Sequence, residues 1–150
     1  MALYAAVRGE LPTDELIALA RRRGWMIYLP RIDQRRRGRT MQFMQLGARR
    51  RTNRLGIEEP QGARTISPRR LDIVFLPLVG FDARGVRLGA GGGYYDRAFA
   101  FRRWRRFWHA PRLIGVAYAF QQVERITPAA HDVLLDAVVT EEGMLRCATG

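Results

Sequence analysis

Lysine is absent from this chain of 150 residues, and all 26 of its basic residues are arginine. With 14 acidic residues, the formal net charge is +12. A basic surface attracts nucleic acids and other polyanions. Complete exclusion of lysine is nevertheless more typical of a biased coding sequence than of a surface selected for binding, and the arginine clusters are scattered. We therefore interpret most of the arginines as solvated, with polyanionic ligands as the second explanation.

Nucleophiles, metal ligands and long apolar runs are also scarce. Cys147 is the only cysteine, which excludes an internal disulfide, and Ser67 is the only serine. With so few nucleophiles, serine and cysteine hydrolases are disfavoured. His109 and His131 have no partner at a metal-ligand spacing, so zinc sites are disfavoured as well. No apolar run approaches the ~20 residues of a membrane helix and no secretory signal is evident, so we expect a cytoplasmic protein without membrane association.

Strand and helix patterns alternate along the chain. Thr13 is the predicted N-cap of a helix with an apolar face that ends near Gly24. The apolar run Leu71–Leu76 is typical of a central parallel strand. This alternation predicts one α/β domain over residues 1–150, in three α/β/α layers with a largely parallel sheet. The other predicted strands are Ala2–Val7, Trp25–Leu29 (closed by Pro30), a segment around Met41 and Phe43, Leu113–Tyr118 and Ala137–Thr140, with a long loop at 47–70.

A second helix is predicted from Tyr94 to Trp108. Phe101, Trp104 and Trp108 recur in it at three- and four-residue spacing, with four arginines between them. Aromatic side chains among arginines also occur where proteins stack on single-stranded nucleic acid. We favour a helix that buries these aromatic rings and exposes the arginines to water, because it explains the same pattern without a partner.

The most informative segment is RLGAGGGYYDR, from Arg87 to Arg97, which follows a predicted buried strand. Its glycines leave backbone N–H groups uncovered, and the helix start after them adds partial positive charge, so the segment suits a phosphate group. Asp96, in the first turn of that helix, is a candidate to hold a divalent cation on that phosphate, with a simple helix-capping carboxylate as the alternative. The segment is neither a Walker loop nor a dinucleotide fingerprint, because its glycines end in Tyr94. A tight flexible turn is the alternative for the glycine run alone.

Five segments, in chain order, resemble one protein family. RLGAGGGYYDR, preceded by a strand that ends in proline, is similar to the glycine motif of the 5-formyltetrahydrofolate cyclo-ligases, also called methenyltetrahydrofolate synthetases. The other similar segments are ALYAAVRGELPT (Ala2–Thr13), WMIYLPRI with the following MQF (Trp25–Phe43), GIEEP (Gly56–Pro60) and LDAVVTEEG, which contains Asp136. Together they extend over most of the chain.

The resemblance implies an enzyme of one-carbon metabolism that uses ATP and Mg²⁺ to cyclise 5-formyltetrahydrofolate, polyglutamylated forms included, to 5,10-methenyltetrahydrofolate. It also implies the role of each matching residue. Arg87 and Tyr94 would be catalytic, and Asp96 and Asp136 would hold magnesium. ATP would contact Arg87, Leu88, Gly89, Ala90, Gly91, Gly92, Gly93, Tyr94 and Tyr95, and folate would contact Ala5, Glu10 and the residues from Ala90 to Tyr94.

The chain also departs from the family pattern. Relatives usually have a further segment before the first strand, including a helix whose lysine and arginine bind the ATP phosphates, so we expect this chain to be N-terminally short. It contains no lysine to take that role, and Gly92 stands where some relatives have a lysine. The alternative is therefore a truncated or degenerate ATP- or folate-binding protein without turnover. A nucleic-acid-binding protein ranks third, and its mark would be steeply salt-dependent binding.

Overall fold

The computed structural model describes residues 1–7, 9–33, 40–47, 50–52, 58–60, 64–104 and 110–148. Two short α-helices and a set of short strands make up most of the regular structure in these residues. In chain order the elements are α1 (Asp14–Arg22), β1 (Tyr28–Asp33), β2 (Thr40–Gln45), β3 (Arg50–Thr52), β4 (Glu58–Pro60), β5 (Thr65–Ile66), β6 (Ile73–Pro77), β7 (Gly80–Phe81), β8 (Arg87–Leu88), α2 (Tyr94–Ala98), β9 (Arg112–Val116), β10 (Ala137–Thr140) and β11 (Gly143–Arg146), with 3₁₀ turns at Pro68–Arg70, Ala100–Trp104 and Ala119–Gln121.

The main sheet is parallel at its centre and antiparallel at both ends. Its order is β5-β2-β1, then the N-terminal segment at Ala2, then β6-β9-β10-β11. Ala2 bridges β1 and β6 in parallel, and β6, β9 and β10 are also parallel to one another. The outer pairs β1–β2, β2–β5 and β10–β11 are antiparallel. The predicted α/β class and parallel centre are therefore confirmed.

Two apolar clusters form the core. Ala2 and Tyr28 belong to a cluster with Phe99, which follows α2, whereas their neighbours Leu3 and Leu29 belong to a second cluster that contains side chains of α1. Successive residues of a strand point to opposite faces of a sheet. The two clusters therefore lie on opposite faces, with α1 against one and α2 against the other.

The predicted elements are confirmed for α1 and for the strands β2, β6, β9 and β10. Thr13 occupies the N-cap position of α1, but its hydroxyl donates to the carbonyl of Tyr4 (2.7 Å) and caps no helical N–H. In the described part, no helix is long and apolar enough to cross a membrane.

Other predicted boundaries were wrong. The first strand contracts to a bridge at Ala2, and Pro30 lies inside β1, opposite Phe43, instead of closing a strand. The predicted loop at 47–70 contains a β3–β4 hairpin and β5. The pairing partners of these short strands are distant in sequence or weakly patterned, so local periodicity does not reveal them.

The predicted helix from 94 to 108 is also shorter, and residues 105–109 lie outside the described residues. The α-helical part ends at Ala98, and a 3₁₀ turn follows at Ala100–Trp104. The prediction that Trp104 is buried was wrong, because its side chain is 84% exposed. Arg102, predicted to be solvated, is instead engaged with Asp136.

Candidate active site

The glycine loop (Gly89–Gly93) follows a hairpin whose turn is fixed by a buried carboxylate. β7 pairs with β8, and the turn between them contains Asp82, whose side chain is fully buried. Asp82 accepts hydrogen bonds from the backbone N–H groups of Arg84, Val86 and Ile126 and from the Arg84 guanidinium. We call these four residues the Asp82 cluster. It joins the base of the glycine loop to a segment more than 40 residues away.

The backbone of the glycine loop requires glycine at specific positions. Gly91 and Gly93 have positive φ angles of 83° and 57°, which residues with a side chain rarely adopt. A Cβ atom at Gly92 would lie 2.5 Å from the ring of Tyr94, so any side chain there would displace that ring. Gly93 occupies the N-cap position of α2 without a side-chain cap. Because α2 has only five residues, we ascribe the anion-binding potential to the bare loop N–H groups more than to a helix dipole.

Arg87 and Asp96 form a partly buried ion pair beside the loop. The Arg87 guanidinium lies 2.7 Å from Oδ1 of Asp96, and their side chains are 6% and 18% exposed. Arg87 also donates to the carbonyl of Val133, whose own N–H donates to Oδ1 of Asp96 (3.1 Å). The residue predicted to bind phosphate and a residue predicted to bind magnesium are thus in direct contact.

Asp136, the other predicted magnesium ligand, lies immediately before β10 and binds Arg102. The two Asp136 oxygens accept from the Arg102 guanidinium at 2.5 and 2.9 Å, and Oδ2 also accepts from the backbone N–H of Leu113 (2.6 Å). Arg102 donates in addition to the carbonyl of Pro111. This bidentate pair fixes the segment after α2 against the ends of β9 and β10.

The two aspartates differ in how well they fit a divalent cation. No residue in the described part donates to Oδ2 of Asp96, which leaves one carboxylate oxygen for a hard cation. Asp136 does not fit such an ion while Arg102 holds both of its oxygens. Among the described residues, no group of three or more His, Cys, Asp or Glu side chains could hold a metal ion. Among these residues a magnesium ion would therefore need further oxygen atoms, such as those of the ligand or of water, to complete its shell.

Glu10 lies in a half-buried polar cluster with two tyrosines. Its carboxylate accepts from the backbone N–H of Val7 (2.9 Å), but burial outweighs this bond and raises the pKa of Glu10. Burial likewise raises the pKa of Tyr4 and of Tyr95, and the negative charge of Glu10 raises both further. The charge of Arg87 acts on Tyr95 in the opposite direction. The hydroxyl of Tyr95 therefore lies within the electrostatic reach of both Glu10 and Arg87.

The remaining predicted residues lie around this centre. Ala5 is half-buried beside Tyr4, Ala90 is exposed at the loop, and the Leu88 side chain is 48% exposed. Sequence reasoning missed Arg97, which donates to the carbonyl of Gly92 (2.8 Å) and lies over the Tyr94 ring, 5.1 Å from its centre. It also missed the roles of Tyr4, Arg102 and the Asp82 cluster. Their types are common in strands, turns and basic segments, so the sequence held no signal for them.

A central parallel sheet, a glycine loop that follows a hairpin and an arginine–carboxylate pair beside it define an α/β protein with a glycine-rich candidate site at the start of α2. The model of the 5-formyltetrahydrofolate cyclo-ligase family matches residues 1–141. The chain belongs to that family, whose members are enzymes. The resemblance drawn from the sequence is therefore confirmed.

Named relatives and a solved structure of the same family support this assignment. The 5-formyltetrahydrofolate cyclo-ligase of Escherichia coli strain K12 is 37% identical over 144 residues, which cover 93% of this chain and 76% of that protein. The enzyme of the same name from Haemophilus influenzae is 36% identical, with 93% and 74% covered. The solved structure of 5,10-methenyltetrahydrofolate synthetase from Aquifex aeolicus matches with a TM-score of 0.78 at 31% identity, over 99% of this chain and 72% of that one. The chain thus spans about three quarters of each relative.

Proposed function

We propose that this protein cyclises 5-formyltetrahydrofolate to 5,10-methenyltetrahydrofolate while ATP is converted to ADP and phosphate. Membership of the cyclo-ligase family supports the reaction. The observation that supports its location is the ion pair of Arg87 with Asp96 beside the glycine loop, because it holds a residue predicted to bind ATP next to the loop residues predicted to bind folate. The two ligands would therefore meet at the first turn of α2. We expect this reaction to take place in the cytoplasm.

The ATP phosphates would lie against the glycine loop and Arg87. The loop from Leu88 to Tyr95 offers N–H donors that no side chain covers at the glycines, and Arg87 offers a guanidinium held by Asp96 and Val133. A fixed guanidinium in a partly dry site stabilises charge that develops on a transferring phosphoryl group. Arg87 would thus act electrostatically, shared between Asp96 and the phosphate.

Folate would lie against Glu10, Ala5 and the loop from Ala90 to Tyr94. The Glu10 carboxylate can accept N–H groups of the reduced pterin, and its raised pKa reflects a site that is already partly dry. The Tyr94 ring, positioned by Gly92 and Arg97, offers a flat surface for a planar ligand. A planar, weakly basic substrate therefore matches the residues on this side of the loop.

Magnesium, which neutralises phosphate charge when bound with ATP, would contact the protein at Asp96. In the arrangement described here Asp136 does not fit this ion, so its role as a second ligand would require Arg102 to release it. In the proposed reaction the formyl oxygen attacks the γ-phosphorus as the bond to ADP breaks. N10 then adds to the activated carbon and loses its proton, and phosphate leaves with the former formyl oxygen.

The direct test is a spectroscopic assay. Mixing the protein with 5-formyltetrahydrofolate and MgATP should produce the absorbance band of methenyltetrahydrofolate, and omitting ATP should abolish it. Arg87→Gln should slow its growth by about two orders of magnitude, as expected for one lost electrostatic contact to the transition state. A folded wild-type protein that yields no band with ATP would contradict the proposed reaction.

The alternative is a binding protein without turnover. One observation favours it, namely that Arg102 occupies both oxygens of Asp136 and so leaves a single free carboxylate oxygen at the proposed metal position. Calorimetric titrations of ATP and folate separate the alternatives, because a binding protein retains both affinities but forms no product.

A further inference from the structure

The segment between Tyr4 and Thr13 connects the N-terminal part of the sheet to α1, and both of its ends are fixed. Tyr4 follows the residues that bridge β1 and β6, and its side chain is buried. Thr13 is also buried and stands at the start of α1, because its carbonyl accepts from the N–H of Ile17 (2.9 Å). Glu10 lies between these two ends. We call the described part of this segment, residues 5–7 and 9–12, the Glu10 loop.

Two hydroxyl groups tie the Glu10 loop to these fixed ends. The Thr13 hydroxyl donates to the carbonyl of Tyr4 (2.7 Å), which closes the base of the loop. The Tyr4 hydroxyl donates to the carbonyl of Leu11 (2.8 Å), seven residues away, and so holds the residue that follows Glu10. Both donors belong to buried residues, so the loss of either bond would leave a polar group without its partner.

The bond from Thr13 is unusual for a residue at the start of a helix. A threonine at the N-cap position commonly accepts a hydrogen bond from an N–H group in the first helical turn, and this bond stabilises the helix. The hydroxyl of Thr13 makes no such bond and donates to Tyr4 instead. The side chain of Thr13 therefore stabilises the loop that precedes α1 in place of the helix itself.

The Glu10 loop leaves one oxygen of Glu10 available to a ligand. Oε2 accepts from the N–H of Val7 (2.9 Å), and the N–H of Glu10 donates to the carbonyl of Val7 (3.0 Å). No residue in the described part of the chain donates to Oε1. The negative charge of Glu10 raises the pKa of Tyr4 and that of Tyr95, so the carboxylate is within electrostatic reach of the first turn of α2.

We propose that Tyr4 and Thr13 are positioning residues for the reaction, and that their hydroxyl groups hold Glu10 where its free oxygen meets the folate substrate. This inference rests on the proposed function. Neither side chain needs to touch folate, because each acts through the backbone of the Glu10 loop. A carboxylate that is already oriented loses less conformational freedom when it binds a ligand, so the two bonds should strengthen folate binding. The ATP phosphates are assigned to Arg87 and the glycine loop, so their binding should not depend on these bonds.

The test removes each hydroxyl with little change in side-chain shape, and calorimetry measures the affinity of the full chain for 5-formyltetrahydrofolate and for MgATP. Thr13→Val and Tyr4→Phe each delete one bond, and Thr13→Ser keeps the hydroxyl. Tyr28→Phe is the matched control, because Tyr28 is also buried but its hydroxyl lies 3.9 Å from Sδ of Met26, outside the Glu10 loop. We expect Thr13→Val and Tyr4→Phe to weaken folate binding about three- to tenfold, the size of one hydrogen bond, with MgATP binding unchanged. Thr13→Ser and Tyr28→Phe should stay within about twofold of the wild type.

A double-mutant cycle separates positioning from general stability. The same two substitutions are repeated in a Glu10→Ala background, which lacks the carboxylate that they are proposed to orient. If Thr13 and Tyr4 act through Glu10, each substitution should weaken folate binding by less than about twofold there. A residue that only stabilises the fold would weaken folate binding equally in both backgrounds.

Each other outcome is decisive. Equal losses in the two backgrounds, or an equal loss for MgATP, would overturn the positioning role in favour of a general structural one. Folate affinity that is unchanged in Thr13→Val and Tyr4→Phe but reduced in Glu10→Ala would overturn it and leave the proposed function intact. A wild type that does not bind 5-formyltetrahydrofolate would overturn the proposed function, and the positioning role with it. If Thr13→Val does not fold, Tyr4→Phe alone decides between these outcomes.

Discussion

Replacing Asp82 by asparagine tests whether the base of the glycine loop depends on one buried carboxylate. Oδ2 accepts from Nε and Nη2 of Arg84 and from the N–H of Ile126, while Oδ1 accepts from the N–H groups of Arg84 and Val86. Asparagine has the same size but only one acceptor oxygen. Whichever way its amide is oriented, donors that face the carboxylate would then face an NH₂ group.

The expected cost follows from the burial of these donors. An unsatisfied buried donor costs about 1–3 kcal/mol. The lost ion pair with Arg84 adds at most about 1 kcal/mol, because the Arg84 side chain is 41% exposed and water screens it. We therefore expect Asp82→Asn to lower the free energy of unfolding by about 2–4 kcal/mol. For a chain of this length that corresponds to a fall in Tm of roughly 5–15 °C.

Thermal unfolding followed by circular dichroism measures this difference, with Arg84→Gln as the matched control. Arg84→Gln removes the screened ion pair and the hydrogen bond to the Ile126 carbonyl but keeps the carboxylate with its three backbone donors, so its Tm should fall by less than Tm falls in Asp82→Asn. Equal shifts in the two variants, or a shift below about 2 °C for Asp82→Asn, would refute the claim that the backbone hydrogen bonds dominate.

The pH dependence provides a second check. Burial alone would raise the pKa of Asp82, but the hydrogen bonds from Arg84, Ile126 and Val86 outweigh it and hold the pKa below its ordinary value. The stabilisation is therefore present above the unfolded-state pKa of about 3.9 and is lost as pH falls through the lower folded-state value. The Tm difference between wild type and Asp82→Asn should be constant near neutral pH and shrink only in strong acid.

Three further predictions concern the site itself. Asp96→Asn should lower the Mg²⁺-dependent part of ATP affinity by about tenfold. Of the two predicted magnesium ligands, Asp96 is the one with an oxygen to which no described residue donates, and the substitution removes its charge. Calorimetry with and without Mg²⁺ would decide, and unchanged MgATP binding would remove the metal assignment. Glu10→Gln should weaken folate more than ATP in paired titrations. It should also raise Tm at neutral pH, since the raised pKa of Glu10 means that ionisation opposes folding, and this gain should vanish in acid below the ordinary glutamate pKa of about 4.3. Gly92→Ala should reduce turnover at least about tenfold with little change in Tm, because its Cβ displaces the Tyr94 ring, which is only half-buried. Full activity would show that the ring position is unimportant.

Local patterns in the sequence predicted the central strands of the sheet but misplaced the ends of several other elements. Pro30, which was predicted to end a strand, illustrates the reason. The N–H and C=O groups of Tyr28 pair with Met1 and Leu3, and a residue two positions along a strand points the same way. The N-terminal segment forms no strand beyond that point, so the missing N–H of Pro30 costs no hydrogen bond on that side. A proline that normally marks the end of a strand is therefore tolerated inside β1.

The second helix was overestimated because tertiary contacts override its amphipathic pattern. Phe99 is fully buried, with its ring 5.6 Å from that of Phe43, and the helix ends at Ala98, immediately before this residue. The tighter turn that follows directs Arg102 to Asp136, 34 residues away. The spacing of Phe101 and Trp104 fits a continuous helix when the segment is considered alone. The neighbouring sequence gives no indication of the contacts with Phe43 and Asp136.

The candidate site was predictable only where its residues are close in sequence. Arg87 and Asp96 lie nine residues apart on either side of the glycine loop, so one motif contains both members of the pair. The partner of Asp136 lies in the arginine-rich segment after α2, where four arginines are equivalent in a single sequence. Of the partners of Asp82, Val86 is four residues away in the sequence whereas Ile126 is 44 residues away. Such contacts depend on how the strands are ordered in the sheet.

The use of arginine in place of lysine has structural consequences, even though we attribute it to a biased coding sequence. At four positions the guanidinium contacts two different groups at once: Arg84 with Asp82 and the Ile126 carbonyl, Arg87 with Asp96 and the Val133 carbonyl, Arg97 with the Gly92 carbonyl and the Tyr94 ring, and Arg102 with Asp136 and the Pro111 carbonyl. A planar fork with five donors can make such paired contacts in a fixed geometry, whereas an ammonium group is a compact point charge on a flexible stem. Our interpretation of the arginines as mostly solvated therefore fails around the glycine loop. Whatever bias filled the chain with arginine, the fold uses the geometry of that side chain to connect the loop, the turn before it and the segment after it.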